Sequence, residues 1–335
     1  MAVISTAEGP PPLSLTHGLW SHYTVFDGLA GMRVEDVYQD SQGLVWIATA
    51  DGGVSRFDGV HFDNLSMAEG LPHPTVTSIA EWEGLLWFGT FGGGLASWDG
   101  RRFAVYTTAQ GLPSDDILKL RVSAEGRLVV MTLRGVGWFA GGRCQERLET
   151  LAGRPVGPVY DLLADGCGEQ WLATLEHGVI STAGRRLQAT TPEGRDILHH
   201  AWNLTRDLQG DLWIASNYVE ATAYALHCRP GQARPEVHEI AGAGGQGPLK
   251  YGVRHVRADN RGWVWHACRG VFVFDGEGWQ QLAIPLQGRE FADVRLSYED
   301  REGNIWLGYW GAGWPFVILR VCAATPKSRA CPTAR

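Results

Sequence analysis

The sequence predicts an all-β fold, a seven-bladed β-propeller whose ring is closed by the N-terminal strand completing the last blade. Three observations predict it: a motif that recurs at blade spacing, extended segments of matching pattern in each copy, and a strand missing at one end that is found at the other. The motif is acidic-x-x-Gly-x-x-Trp. Its best copies are Asp40-Gly43-Trp46, Asp165-Gly168-Trp171, Asp207-Gly210-Trp213, Asp259-Gly262-Trp265 and Asp300-Gly303-Trp306. Glu81-Gly84-Trp87 and Ser123-Gly126-Val129 are weaker copies that fill the gaps. The anchors are separated by 41, 42, 42, 42, 52 and 41 residues, the length of a four-stranded blade.

Within a copy the elements follow in order. An extended run such as Val34 to Tyr38 precedes the acidic residue, and a compact apolar run such as Leu44 to Ala48 follows the glycine. That second run does not alternate, as suits a strand covered on both faces. Between them Asp-x-x-Gly makes a tight turn, the carboxylate accepting backbone hydrogen bonds and the glycine supplying positive φ. A glycine-rich turn comes next (Asp51-Gly52-Gly53, Gly92-Gly93-Gly94, His177-Gly178, Arg269-Gly270). A third strand ends in Phe57-Asp58-Gly59, Trp98-Asp99-Gly100 or Phe274-Asp275-Gly276, and a fourth follows, such as Arg102 to Tyr106.

After Trp306 the last copy runs to Leu319 with no recognisable fourth strand. Trp20-x-x-Tyr23 with Gly28-Leu29 matches Phe62-x-x-Leu65 with Gly70-Leu71 and Phe103-x-x-Tyr106 with Gly111-Leu112. Residues 19–25 are therefore expected to pair beside 315–320, removing two free edges. The expected organisation is a flexible segment 1–18, one propeller over 19–320, and a disordered tail 321–335 rich in Ala, Pro and Arg.

Composition agrees with a single repeat array, with 44 glycines and 15 tryptophans in 335 residues. A net charge of −7 and the lack of a basic stripe argue against nucleic acid or an anionic membrane as partner. No apolar stretch is long enough for a membrane helix. Met1 to His17 has neither a basic region nor an apolar core of a secretory signal, so a cytoplasmic location is expected, or a periplasmic one if the start is misassigned. The six cysteines show no C-x-x-C spacing, and most are expected to be small buried hydrophobes.

The blades resemble the two-component regulator propeller repeats of the sensory region of bacterial hybrid histidine kinases and related signalling proteins. The residues that carry the resemblance are Val76-x-x-Ile79, Gly84 to Thr90, Gly93-Gly94-Leu95 and Trp98-Asp99-Gly100, with parallels at Gly303 to Gly308 and Gly43 to Asp58. It spans residues 19 to about 320 and is most specific in the first, second and last copies. The resemblance implies a sensory input propeller of a signal-transduction system, with no output module legible in this chain and a signalling protein as possible partner.

Positions that recur from copy to copy answer to the fold, whereas those that vary on one rim are free to serve a ligand. The varying turn between second and third strands offers Asp51, Phe91, Arg134, Glu176 with His177, Asn217 with Tyr218, Arg269, and Tyr309 with Trp310. The connectors into each first strand add Arg33, His73, Asp115, His199, Lys250, Tyr251 and Glu290. Aromatics mixed with Arg, His and carboxylates suit a small polar or carbohydrate-like ligand at the channel face. The recurring aspartates each offer one carboxylate where calcium needs six to eight oxygens. No nucleophile motif, paired-carboxylate signature or metal triad is visible, so no catalytic residue, metal or cofactor is expected.

Two other classes remain open. Tyr309, Trp310 and Trp314 could anchor a protein partner, making the ring an interaction platform. Glu176-His177 and His199-His200 could supply an acid and a base, as in streptogramin-lyase-like propellers.

Overall fold

The computed structural model describes residues 20–191, 194–216, 223–240, 255–268, 270–282, 293–310 and 318–321. The recurring aspartate fastens each hairpin in the way its chemistry dictates. Asp40 Oδ1 accepts from the backbone N–H groups of Gln42 and Leu44, both at 2.9 Å, while Oδ2 accepts the indole N–H of Trp46 at 2.7 Å. Gly43 completes the turn at φ 89°, a conformation that costs glycine little. The same indole-to-carboxylate bond recurs at Trp171, Trp213, Trp265 and Trp306, at 3.1, 2.8, 2.9 and 2.8 Å. Every one of these indoles is buried.

The second copy departs from its expected alignment. Strands Val76–Trp82 and Leu85–Thr90 are joined by Glu83 and Gly84, both at positive φ, in a two-residue hairpin turn. There Trp87 donates to the carbonyl of Trp82 at 3.1 Å, and Glu81 is not the turn carboxylate: it accepts from Ser41 in the preceding blade.

Four-stranded antiparallel sheets are built on Trp46 (Val34–Gln39 through Phe62–Leu65), Trp87 (Val76–Trp82 through Phe103–Tyr106), Val129 (Ile117–Val122 through Arg143–Leu148), Trp213 (Ala201–Arg206 through Glu236–Ile240), Trp265 (His255–Ala258 through Trp279–Leu282) and Trp306. The Trp306 sheet takes its outer strand from the N-terminus, Trp20–Tyr23 pairing antiparallel with Ile318–Val321. Tyr23 locks that junction, its ring centroid 4.9 Å from Phe57 and 6.0 Å from Trp306.

The expectation of seven four-stranded blades is corrected: among the described residues six such blades are present. The copy anchored on Trp171 forms a sheet of only three strands, Val159–Ala164, Gln170–Thr174 and Gly178–Ser181. After Ser181 the chain turns back at once, Gly184 at φ 86° and Arg185 accepting from Ser181, and then makes only isolated bridges, Ile180 to Arg186 and Thr190 to Asp196. Leu187, Ala189, Ile197 and Leu198 from this irregular stretch are buried in the core shared with the Trp213 blade, so packing replaces the outer strand. The expectations for residues 1–18 and 322–335 lie outside the described residues, as does the glycine-rich insertion Ala241 to Pro248.

First strands of successive sheets lie side by side, and the last returns to the first, closing a ring around a channel. A bulge recurs near the start of these strands, between Val34 and Asp36, Val76 and Ser78, Ile117 and Lys119, Val159 and Asp161, Ala201 and Asn203, and Val294 and Leu296. The residue just past it, or in the Trp265 blade His255 at the head of its strand, bolts one sheet to the next. Asp36 accepts from the backbone N–H of Ile79 at 2.9 Å, Ser78 from Leu120 at 3.2 Å, Asp161 from Leu204 at 3.0 Å, Asn203 from Val256 at 2.8 Å and His255 from Ser297 at 3.2 Å. Lys119 cannot accept, and instead donates to Asp161 at 2.9 Å. Leu296 has no polar atom to offer.

One core position breaks the apolar rule. In the second strand, Ile47, Phe88, Val130, Leu172, Ile214 and Leu307 occupy equivalent sites, and His266 takes that place in the Trp265 blade, fully buried. Burial pushes its pKa down to about 3 against a smaller upward pull from the Tyr224 backbone.

Three outcomes test these assignments. Trp46→Phe should cost about 1–3 kcal/mol by stranding a buried carboxylate lone pair, and Trp46→Ala about 3–5 kcal/mol, both read by urea unfolding. Asp161→Ala should cost about 3–5 kcal/mol because Lys119 and Arg121 lose their counter-charge; a loss within 0.5 kcal/mol would remove the bolt from the account. Unfolded chain protonates His266 near 6.5, whereas the folded chain resists until about 3, so stability should fall by roughly 1 kcal/mol per pH unit as pH drops through that window. His266→Leu should flatten that acid limb in melting curves taken from pH 7 to pH 4.

Candidate ligand-binding channel

Rim residues named from the sequence sit where each first strand begins and each second strand ends, and many are engaged in backbone contacts. Arg33 and Asp51 are brought together, with Nε 4.0 Å from the carboxylate, while Asp51 also accepts from the Met32 N–H at 3.0 Å. His73 Nδ1 accepts from the Thr75 N–H at 3.1 Å, its ring lies against Gly92, and a Cβ at Gly93 would clash with the His73 Cβ. Phe91 bridges to Asp116 and leaves its ring partly exposed. Asp115 turns outward to the N–H of Thr108 at 2.7 Å. Arg134 and Glu176 are exposed. His177 Nε2 lies 2.9 Å from the carbonyl of Pro155, and the ring of His199 packs on His200 at 4.3 Å. Tyr309 and Trp310 end the strand Ile305–Trp310. Asn217, Tyr218, Lys250, Tyr251, Arg269 and Glu290 lie outside the described residues, as does Trp314.

Two cavities bounded by described residues lie inside the channel, and other residues line them. A cavity of about 650 Å³ is bounded by Tyr38, Glu81, Arg121, Arg206, Arg257 and Tyr298. A smaller one of about 190 Å³ is bounded by Glu35, Tyr160, Trp202 and Arg295, with the Tyr160 and Trp202 rings 4.3 Å apart. Asp36, Ser78, Lys119, Asn203 and His255 border both, forming a polar waist between them.

Charge at the waist is concentrated on one side. Asp161 has no exposed side-chain surface, whereas Lys119 and Arg121 keep 24% and 28% of theirs. Arg121 grips that carboxylate with two bonds, 2.5 Å from Nε and 2.8 Å from Nη2, and reaches the Leu204 carbonyl at 2.8 Å. Burial alone would raise the Asp161 pKa, but the charges of Arg121 and Lys119 outweigh it and hold the carboxyl well below the usual carboxylate range. Burial lowers Lys119 and Arg257 from their ordinary values and lowers His255 well below its own, so the imidazole is neutral at neutral pH. Asp36 is shifted upward, again by burial. Across the waist, the Arg257 guanidinium lies over the Tyr298 ring at 4.5 Å. Among the described residues, Arg257 Nε is buried with no hydrogen-bond partner. This arrangement can orient a small polar molecule by charged forks and stack it on tyrosine.

Groups of His, Asp and Glu close enough to hold an ion lie elsewhere among the described residues, on the outer strands and the first turn of the Trp213 blade. The waist residues were within reach of sequence reasoning. Asp36, Lys119, Asp161, Asn203 and His255 each stand four residues before the acidic or serine position of their repeat. Polar residues at a fixed offset inside an otherwise apolar strand were the signal, but that strand counts as scaffold when only turns are searched.

Residues 28–51 match the family model of the two-component regulator propeller. No curated protein matches the chain in sequence. Among solved structures, the extracellular domain of BT3049 from B. thetaiotaomicron, assigned as a hybrid two-component system, is 18% identical with a TM-score of 0.69, over 91% of this chain and 42% of that one. The extracellular domain of BT4673 from B. thetaiotaomicron, also assigned as a hybrid two-component system, is 17% identical with a TM-score of 0.68, over 90% and 40%. The chain thus spans about two fifths of the length of these domains. Virginiamycin B lyase from Staphylococcus aureus is 12% identical with a TM-score of 0.66, over 90% and 99%. At these identities the likeness is one of fold. No helix among the described residues is long and apolar enough to cross a membrane. Residues 28–51 are thus similar to one repeat of the two-component regulator propeller, and the chain as described has an all-β propeller fold.

Proposed function

We propose that this propeller is a sensory input domain of a bacterial signal-transduction system, binding a small polar, carbohydrate-like ligand within its channel. The observation that carries the ligand is the 650 Å³ cavity with Arg257 stacked on Tyr298 and its buried Nε turned to no partner among the described residues. A buried donor of that kind is satisfied at low cost by an oxygen-rich ligand, and the volume falls within the range of small-molecule sites. Arg121, tied to Asp161, is held rigid for the same ligand. The sensory role rests on the repeat match at residues 28–51 and the shared fold of the two-component domains.

Occupancy of the channel is then passed to a signalling partner, within the same chain or another. We place the domain outside the cytoplasm, as the extracellular neighbours are, in preference to the cytoplasmic location expected from the sequence. Binding rather than catalysis is the reading we adopt: Asp36, the waist carboxyl that burial shifts upward, and His255, the neutral waist imidazole, are both committed to backbone N–H groups of the next sheet.

A thermal-shift and calorimetry panel of neutral and acidic mono- and oligosaccharides tests this reading. A ligand at 100 times its Kd should stabilise the fold by about 2.7 kcal/mol, a shift of several degrees. Arg257→Gln should weaken that ligand at least tenfold while the apo protein still folds. A ligand insensitive to Arg257→Gln but lost on Arg134→Ala or His177→Ala would move the site to the rim. No response across the panel would overturn the small-molecule reading and leave the protein-interaction platform.

A further inference from the structure

Among the described residues, the outer half of the Trp213 blade carries a cluster that its sister blades lack. Strands Ala223–Cys228 and Glu236–Ile240 pair so that His227 lies opposite Glu236, and Ala225 opposite His238. His227, Glu236 and His238 therefore share one face, because alternate residues of a strand do. At the position of His238 the other blades have Leu65, Tyr106, Leu148 and Leu282. A site that is apolar elsewhere in the repeat has been given an imidazole here.

Geometry turns the lone pairs of this cluster toward one point. His227 Nε2 lies 2.8 Å from Asp211 Oδ2, and a carboxylate that only accepts fixes the ring proton on that nitrogen. Nδ1 is then the free lone pair, and it lies 3.9 Å from Glu236 Oε2. His238 Nε2 lies 3.8 Å from Glu236 Oε1 and has no hydrogen-bond partner among the described residues, although the atom is buried. One ligand atom from each of the three residues falls within 4.8 Å of the other two. In a tetrahedral site with bonds of 2.0–2.1 Å, ligand atoms stand about 3.3–3.5 Å apart, so small rotations bring these atoms to an ion. Trp213 floors the site, its ring stacked on His227 at 4.4 Å and 15°.

Asp207 and Asp211 form a second group with the other face of His227. That side is already in use: Asp207 accepts from the N–H groups of Gln209 and Asp211 and from the Trp213 indole. The pattern of carboxylate, histidine and open lone pair matches the way a second carboxylate orients a metal-binding imidazole.

We propose that His227 Nδ1, Glu236 and His238 Nε2 form a binding site for a borderline divalent transition metal of the zinc type, with Asp211 orienting His227. Two imidazoles and one carboxylate select zinc, nickel or copper over calcium or magnesium. Glu236, with 57% of its side chain exposed, leaves the fourth position open to water. A metal here clamps the outermost strand to its neighbour, at the position where the sister blades use a leucine or tyrosine side chain for packing.

The test uses the full chain, stripped with EDTA, dialysed and titrated with zinc chloride by calorimetry, then with cobalt(II) read by visible absorption. Wild type should bind one equivalent at micromolar concentration or tighter, show the strong visible bands of four-coordinate cobalt, and melt at a higher temperature with zinc. His238→Leu restores the residue of the other blades and should fold, yet lose the stoichiometric site. Asp211→Asn should bind about 10–100-fold more weakly. His61→Gln, on an exposed turn of the Trp46 blade, should leave metal binding unchanged. Stoichiometric binding that survives His238→Leu, or no one-equivalent binding by wild type at 50 μM, as an order-of-magnitude ceiling for such a site, would overturn the proposal.

Discussion

The hydrogen bond from a buried indole to the turn aspartate is the constraint on which the repeat depends. Each aspartate has four lone-pair sites to fill once buried, and two turn N–H groups fill only half of them. The tryptophan six residues on supplies a third donor and covers the carboxylate with its ring, so turn geometry and inter-sheet packing are fixed by one residue pair. A phenylalanine could pack but not donate, and a serine, as at Ser123, needs no such donor. That is why Val129 tolerates the anchor position in the blade whose turn is headed by serine. The Trp87 blade reaches the same end differently, shortening its turn and giving the indole a carbonyl instead.

A second constraint acts at the channel. Where first strands meet around the ring they leave a backbone N–H of each next sheet facing the preceding one, and buried N–H groups must be paired. Side chains just past the bulge do this, so the waist is polar for structural reasons before any ligand is considered. Lys119 is the exception that shapes the site. Having no lone pair, it cannot bolt the next sheet, and so it turns to Asp161, which thereby serves two cations and two backbone N–H groups at once. The cation-rich side of the waist follows from that single substitution in the repeat.

How far the sequence could carry these conclusions depended on whether a feature was periodic. Hairpins, anchor tryptophans and the pairing of Trp20–Tyr23 with Ile318–Val321 were legible because each recurs or complements a recurrence. The three-stranded sheet was not, because its anchor Asp165-Gly168-Trp171 is intact and the loss lies in the weakly patterned outer segment after Ser181. The alignment of Glu81 failed by one residue because a two-residue turn removes a position that Asp-x-x-Gly turns contain. Rim residues such as Arg33 and Asp51 were correctly placed at strand ends, yet neither cavity touches them. The waist was overlooked because inward-facing polar residues lie within strands, where sequence alone does not distinguish a channel from a core.

A repeat protein carries its own reference state, and this is what gives its deviations physical meaning. When several sister blades place an aliphatic or aromatic side chain at a site, the packing requirement there is known, and a histidine must be explained by something other than the fold. His266 and His238 are two such departures, and their surroundings separate them. His266 is fully buried in a blade core and belongs to no ion-holding group among the described residues, and its consequence is a proton-linked penalty on stability. His238 faces a carboxylate and a second imidazole whose proton is fixed on its far side by Asp211. The same residue type, substituted for the same kind of neighbour, thus becomes a liability in one blade and a ligand set in another. What decides is whether the adjoining strands direct lone pairs or methyl groups toward it.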